Sequence, residues 1–197
     1  MNNPSKLHPG AAKRVLRYIA GTTYHGIWYS KVTNFTLIGF TDNDYVGNID
    51  DRKRTYGFLF NVGSEAVSWS SNKQELVALY TLKDEYIVAT FAACQEVWLR
   101  RLASDFNQKP TGATEIFCDN RSSIAMSKNK AFHSRTKDIY IHYHIIRSLV
   151  STGEVTLKSC DIIELATYIF TKLLPQANHE FFRGQLVVCS FESRGGG

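Results

Sequence analysis

Between Leu76 and Phe106 the chain runs without a glycine or proline and is dominated by apolar residues, so this stretch is expected to be one long, largely buried helix. A helix of that kind must cover something, and the sequence on both sides supplies strands. Upstream, Phe35–Thr41 is β-rich and runs into the turn cluster Asp42-Asn43-Asp44. Tyr56–Val62 and Ala66–Ser70 read as a hairpin around Gly63-Ser64-Glu65. Downstream, Thr114–Cys118 is a short strand leading into Asp119-Asn120, which can cap a helix over residues 121–128. Asp138–Val150 reads as a helix, Val155–Lys158 as a last strand, and Glu164–Leu174 as a last helix before Pro175. This order predicts an α/β layer built on a mixed sheet of about five strands with helices packed on it. Trp69 and Trp98 each sit in an apolar element and are expected in the core.

A chain of 197 residues suits one ordinary domain, or one domain with an appendage. With 44% apolar and 21% charged residues it belongs to neither the disordered nor the fibrous class. No window reaches the roughly 18 apolar residues of a membrane-spanning helix, and the first ten residues lack the apolar run of a signal peptide. Cys94, Cys118, Cys160 and Cys189 form no CxxC pair, which argues against a zinc framework and for reduced thiols in an intracellular compartment.

The net charge of +5 is located rather than spread. Residues 1–33 carry Lys6, Lys13, Arg14, Arg17 and Lys31 and no acid, whereas the remainder balances 18 bases against 18 acids. Ala11–Ala20 has helical periodicity, with Lys13, Arg14 and Arg17 sharing one face and Gly21 expected as its C-terminal cap. A basic helical face can track phosphates; the alternative is an ordinary solvated face. Gly26–Tyr29 then reads as a short strand.

Three carboxylates stand out by position. Asp42 ends the first sheet strand, Asp119 ends the fourth, and Glu85 lies in a mostly apolar part of the long helix. A carboxylate in apolar surroundings is costly unless paired or bound to a metal. If the first and fourth strands are neighbours, Asp42 and Asp119 project together and the helix can supply Glu85. Mg²⁺ prefers such oxygen ligands and leaves room for a phosphate, and two ions roughly 4 Å apart would activate water and stabilise the leaving oxygen in phosphodiester cleavage. The alternative is that each acid is a cap, turn or surface residue.

At these residues the sequence resembles the ribonuclease H region of copia-type retrotransposon polyproteins. Leu37–Gly47 is similar to the family's L-x-G-Y-S-D-A-D-W-A-G, Asp51–Phe58 to D-R-K-S-T-S-G-Y, and Ser68–Gln74 to S-W-S-S-K-K-Q. Ile116–Asn120 with Ser123-Ile124-Ala125 resembles I-Y-C-D-N-x-S-A-I-A; Phe132–Lys137 and Tyr143–Arg147 resemble F-H-S-R-T-K and Y-H-F-I-R. His8–Tyr18 with Gly21-Thr22 is similar to the segment that joins the reverse transcriptase part to this nuclease. The resemblance implies a ribonuclease H-like fold and Mg²⁺-dependent cleavage of RNA in RNA–DNA hybrids, with two ions (Mn²⁺ as the alternative) held by Asp42, Glu85 and Asp119. It implies a division into residues 1–33 (basic connection helix and short strand), 34–175 (nuclease domain) and 176–197 (C-terminal tail). The implied partners are the hybrid and the reverse transcriptase part of the same polyprotein, with no membrane, in the cytoplasm or nucleus.

The departures fall where chemistry is expected. The family's S-S-T-E-A-E-Y becomes Tyr80–Tyr86, which puts Lys83 close to Glu85, and Tyr140 stands where the family has an Asp. The family's L-A-D-I-F-T-K-P-L becomes Leu165-Ala-Thr-Tyr-Ile-Phe-Thr-Lys-Leu173, so Thr167-Tyr168 replaces the Asp expected as a fourth metal ligand. Asp161 and Glu164 are the nearest substitutes. Losing a ligand weakens metal positioning, and a displacement of about 1 Å can cost on the order of 100-fold in rate. Two functions from different classes therefore follow: a nuclease, or an inactive remnant that binds nucleic acid or packs against a polymerase. An integrase-type nuclease is disfavoured because the His/Cys zinc segment is absent. His142 and His144 would face different directions on a helix and are expected to be structural. Asn43, Asn120 and Arg121 lie beside the expected site and are candidates to contact 2′-hydroxyls. The basic loops Arg52–Arg54 and Arg135–Lys137 are candidates to hold phosphates.

Overall fold

The computed structural model describes residues 5, 8–31, 34–44, 54–73, 81–108, 110, 112–119, 124–125, 127, 137–160 and 166–191, with residues 81–85 and 137–140 described by their backbone alone. Five strands form the main sheet: β2 (Leu37–Asn43), β3 (Thr55–Val62), β4 (Glu65–Lys73), β5 (Thr114–Cys118) and β6 (Val155–Ser159). Their order is β4-β3-β2-β5-β6, antiparallel from β2 through β4 and parallel from β2 through β6. A second, two-stranded antiparallel sheet pairs β1 (His25–Ile27) with β7 (Val188–Ser190). The helices are α1 (His8–Gly21), α2 (Thr81–Asp105), α3 (Lys137–Ser151), the single turn α4 (Tyr168–Thr171) and α5 (Gln176–Gln185).

Alternation along the strands gives the main sheet two faces. On the first, Leu37, Phe60, Ile116, Val155 and Leu157 meet Tyr86, Ala89, Ala92 and Ala93 of α2 and Tyr143 and Ile146 of α3 in one buried cluster. The alanines recur at helical spacing and present a low ridge, which lets α2 lie close to the strands. Gly39 serves the same end from below, because a Cβ there would stand 2.6 Å from the Phe60 ring. The two helices are joined as well as packed: the Tyr86 and Tyr143 rings stack at 4.1 Å, and Thr90 Oγ1 reaches the His142 carbonyl at 3.3 Å. At the far end of α2, buried Glu96 pairs with Arg100 at 2.8 Å. Arg100 also donates to the Gly112 and Glu154 carbonyls and to Thr114 Oγ1, tying α2 to the starts of β5 and β6.

The second face is thinner. Its buried cluster is Leu59, Ala66, Ala166 and Leu186, edged by Ile27, Phe40, Ile169, Phe170 and Val188. The covering elements are α4, α5 and the β1–β7 ribbon, which pairs residues 25–27 with 188–190.

The expected mixed sheet, the hairpin and the long helix are present, and four expectations need correction. Asp42 and Asn43 lie inside β2 rather than in a turn, paired with Gly57 and Tyr56, because β3 is long enough to extend the ladder past them. The helix expected at 164–174 is only the turn α4, with residues 161–165 outside the described set. Residues 176–190 are no loose tail: they form α5 and β7, and pairing with β1 satisfies the backbone of both short strands. Trp69 and Trp98 are 53% and 54% exposed. Trp69 sits on the edge strand β4, where no helix covers it, and Trp98 lies on the side of α2 opposite Ala92, Ala93 and Glu96.

A smaller difference concerns Gly21, which is the last helical residue rather than a left-handed cap. Thr22 closes α1 instead, its amide reaching the Ile19 carbonyl at 3.2 Å and its hydroxyl the Tyr18 carbonyl at 2.9 Å.

Candidate functional site

The parallel register of β2 and β5 pairs Phe40 with Phe117 and Thr41 with Cys118. Phe40 and Phe117 stack at 5.5 Å on the second face. Asp42 and Asp119 each lie two residues further along, so alternation puts both carboxylates on that same face. Adjacent strands stand about 4.8 Å apart, and each acid responds to this confinement. Burial pushes the Asp42 carboxyl above the usual carboxylate range; Thr171 and Lys172 pull it down, and the Asp119 charge adds to the rise. Burial also raises Asp119, again opposed by Lys172.

Asp42 is 2% exposed, so it lies beneath other side chains rather than open to solvent. Those side chains come from α4. The Thr171 hydroxyl donates to Asp42 Oδ2, and Lys172 Nζ stands 3.9 Å from the same oxygen. The Lys172 ammonium also sits 3.3 Å from the centre of the Tyr168 ring, a cation–π contact. Gly57, opposite Asp42 in the ladder, lets α4 settle here, since a Cβ would stand 3.1 Å from both Phe170 and Thr171.

Among the described residues, buried Asp42 Oδ1 and Thr167 Oγ1 have no partner; both amide atoms of Asn43, on the other face of β2, also lack one. Unpaired buried polar atoms are rare and costly. A carboxylate pair with one oxygen unbonded, buried and short of positive charge is a donor set that fits a hard divalent cation. Among the described residues Lys172 is the positive charge that acts on both carboxylates.

Glu85 lies in the first turns of α2, which packs against β2; its side chain is outside the described residues, as are Lys83, Tyr140, Asp161, Glu164, Asn120 and Arg121. Among the described residues no three His, Cys, Asp or Glu side chains cluster as a metal site. Asn43 is buried rather than presented at the surface. Lys13, Arg14 and Arg17 project from α1, which buries none of its residues and leaves Leu16 and Ile19 exposed too. His142 is half-buried against Phe91 and His144 is exposed, in keeping with their different directions on α3. Of the basic loops, Arg54 is described with its side chain, and Lys137, the first residue of α3, by its backbone alone.

Thr171 and Lys172 were not legible as site residues, because a hydroxyl and an amine in a short helix carry no pattern of their own. Their contact with Asp42, 129 positions away from Thr171 in sequence, emerges only on folding.

No family model matches the chain. Among curated proteins it is 36% identical over 180 residues to the retrovirus-related Pol polyprotein from transposon TNT 1-94 of Nicotiana tabacum, covering 91% of this chain and 13% of that one. It is 32% identical over 188 residues to the Pol polyprotein from transposon RE1 of Arabidopsis thaliana, covering 95% of this chain and 13% of that one. The chain belongs with the retrovirus-related Pol polyproteins of plant transposons. It spans about an eighth of the length of these relatives.

Solved structures agree on the fold. The N-terminal RNase H domain of a Mycobacterium tuberculosis protein, solved as a fusion with maltose binding protein, superposes with a TM-score of 0.50 at 13% identity, over 77% of this chain and 98% of that one. The foamy viral protease-reverse transcriptase in complex with RNA/DNA hybrid gives 0.50 at 12% identity, over 79% of this chain and 21% of that one. The fold is therefore that of a ribonuclease H domain, within a transposon Pol polyprotein lineage.

Proposed function

We propose that this domain is a Mg²⁺-dependent ribonuclease that hydrolyses the RNA strand of RNA–DNA hybrids, working beside the reverse transcriptase part of the same polyprotein. The observation that carries the reading is the closeness of Asp42 and Asp119 just past the Thr41–Cys118 pair of parallel strands β2 and β5, close enough for their charges to interact, with Asp42 Oδ1 without a partner among the described residues. Asp42 and Asp119 would hold the ion, and Glu85 would join them from α2. Bound Mg²⁺ supplies water activation and charge stabilisation at the leaving oxygen, so no side-chain nucleophile is needed. The chain's own residues prepare the site. Thr171 engages Asp42 Oδ2 and thereby directs the other oxygen away from itself. Lys172 offsets part of the carboxylate repulsion in the ground state. Lys13, Arg14 and Arg17 would track hybrid phosphates along the exposed side of α1, and Asn120 and Arg121 would contact 2′-hydroxyls; Asn43, which is buried, is not among the contacts.

A second reading is favoured by a specific observation: Thr167 and Tyr168 occupy the place of an acidic ligand, and Tyr168 holds the Lys172 ammonium next to Asp42. On that reading the domain binds hybrid or packs against the polymerase without cutting. A hybrid-cleavage assay with Mg²⁺ separates the two. The nuclease should release products with 3′-hydroxyl and 5′-phosphate ends, and Asp119→Asn should abolish release. Metal-independent cleavage, or cleavage indifferent to the substitution, rejects the first reading.

A further inference from the structure

On the second face, away from the carboxylates, α1, α5 and the β1–β7 ribbon enclose a cavity of about 430 Å³ against the sheet, a size typical of sites for small ligands. Its floor is apolar, with Phe170 of α4 and Leu186 beyond α5. Two helices form its walls. Tyr18 comes from the last turn of α1 and Thr22 from the residue that closes it, and His179 and Arg183 from α5. Each pair is four residues apart and so forms a stripe along one helix face. Carrying the α1 stripe back one turn reaches Arg14. Half-exposed Trp69 closes the edge on β4, and His25, whose Nδ1 has no hydrogen-bond partner among the described residues, lines the wall on β1. No acidic residue lines the cavity, and Arg183 pairs with no carboxylate among the described residues.

We propose that this cavity binds one nucleotide unit of single-stranded nucleic acid, the base stacking on Trp69 and Tyr18, its phosphate on Arg183 and His179, and the next phosphate on Arg14. An apolar floor with aromatic edges suits any base, since every base has a stacking face. Cationic groups on two helices, rather than one, suit a ligand whose charge repeats along a chain. A free mononucleotide shares this chemistry, and the experiment distinguishes the two sources. The site goes beyond the hydrolytic reading and stands or falls apart from it.

The test is fluorescence anisotropy of a labelled oligo-thymidine octamer with the full chain in EDTA, where metal-dependent cleavage is not in play. Arg183→Glu should weaken binding by about tenfold or more, and Trp69→Ala by about fivefold or more. Arg14→Ala should lower the salt slope by about one. Trp98→Ala, an exposed tryptophan on another surface, should leave affinity unchanged, and thermal melts of all variants exclude misfolding. Competition by thymidine monophosphate at similar concentration would identify the free nucleotide as sufficient; its failure to compete would identify the strand. Absence of octamer binding, or equal affinity for wild type, Arg183→Glu and Trp69→Ala, overturns the proposal whatever the hybrid-cleavage assay returns.

Discussion

The two faces of the main sheet are built to different standards. The first is closed by α2 and α3 over a continuous cluster of eleven buried residues, cross-linked by stacked tyrosines and a buried ion pair. The second has, among the described residues, a hydrophobic cluster of only four, a cavity, and the crowded acids Asp42 and Asp119. A well-packed face contributes stability. A face that leaves carboxylates crowded and a cavity unfilled gives up stability at positions where a ligand could recover it. The division teaches where to look for function: the candidate site and the cavity both lie on the weaker face.

Four substitutions break or sharpen that contrast. The largest effect is expected for Phe60→Ala, which empties a fully buried ring position on the first face and should cost about 3–5 kcal/mol in urea unfolding. Next is Arg100→Met, which leaves Glu96 buried without its partner and should lower stability by about 3 kcal/mol in the same measurement. Leu186→Ala on the second face should cost only about 2 kcal/mol, the low end for a buried leucine, because the side chain already borders open space. Equal losses for Phe60→Ala and Leu186→Ala would erase the distinction between the faces.

The smallest effect has the opposite sign. Asp42→Asn removes a buried charge and should stabilise the metal-free domain by about 1 kcal/mol, read as a raised Tm in EDTA, while ending any Mg²⁺-dependent cleavage. The pH dependence follows from the raised carboxyls of Asp42 and Asp119. The folded state holds their protons to higher pH than the unfolded state does. Their contribution to stability is therefore fully present below the ordinary carboxylate range and is lost as pH rises through the raised values. Melts in EDTA from about pH 4 to pH 8 should show this decline in the wild type and a shallower one in Asp42→Asn. A wild-type Tm that rises across that window would mean that Lys172 and Thr171 outweigh burial at the pair.

Much of the architecture could be read in advance because it rests on local signals. The glycine- and proline-free run gave α2, the Gly63-Ser64-Glu65 turn gave the β3–β4 hairpin, and the β-rich stretches gave the sheet. Asp42 and Asp119 could be singled out because each stands close to the end of a β-rich stretch, although β2 turned out to run on through Asp42 to Asn43. The misses have a common cause. Trp69 and Trp98 have core-like composition, but exposure depends on which neighbour covers a strand edge or helix side. Residues 176–190 have modest local propensity, and become helix and strand because β1, far away in sequence, offers a partner.

The amino-acid order by itself determined the succession of strands and helices, the clustering of basic charge on α1, and which carboxylates stood close to strand ends, since periodicity and turn chemistry act over a few residues. Only the tertiary structure decided that Thr171 would engage Asp42 across 129 positions, that Lys172 would rest on Tyr168 beside two buried acids, and that α1, α5 and the β1–β7 ribbon would wall a cavity. Those outcomes depend on contacts between distant segments, whose energies exist only once the sheet has brought the segments together.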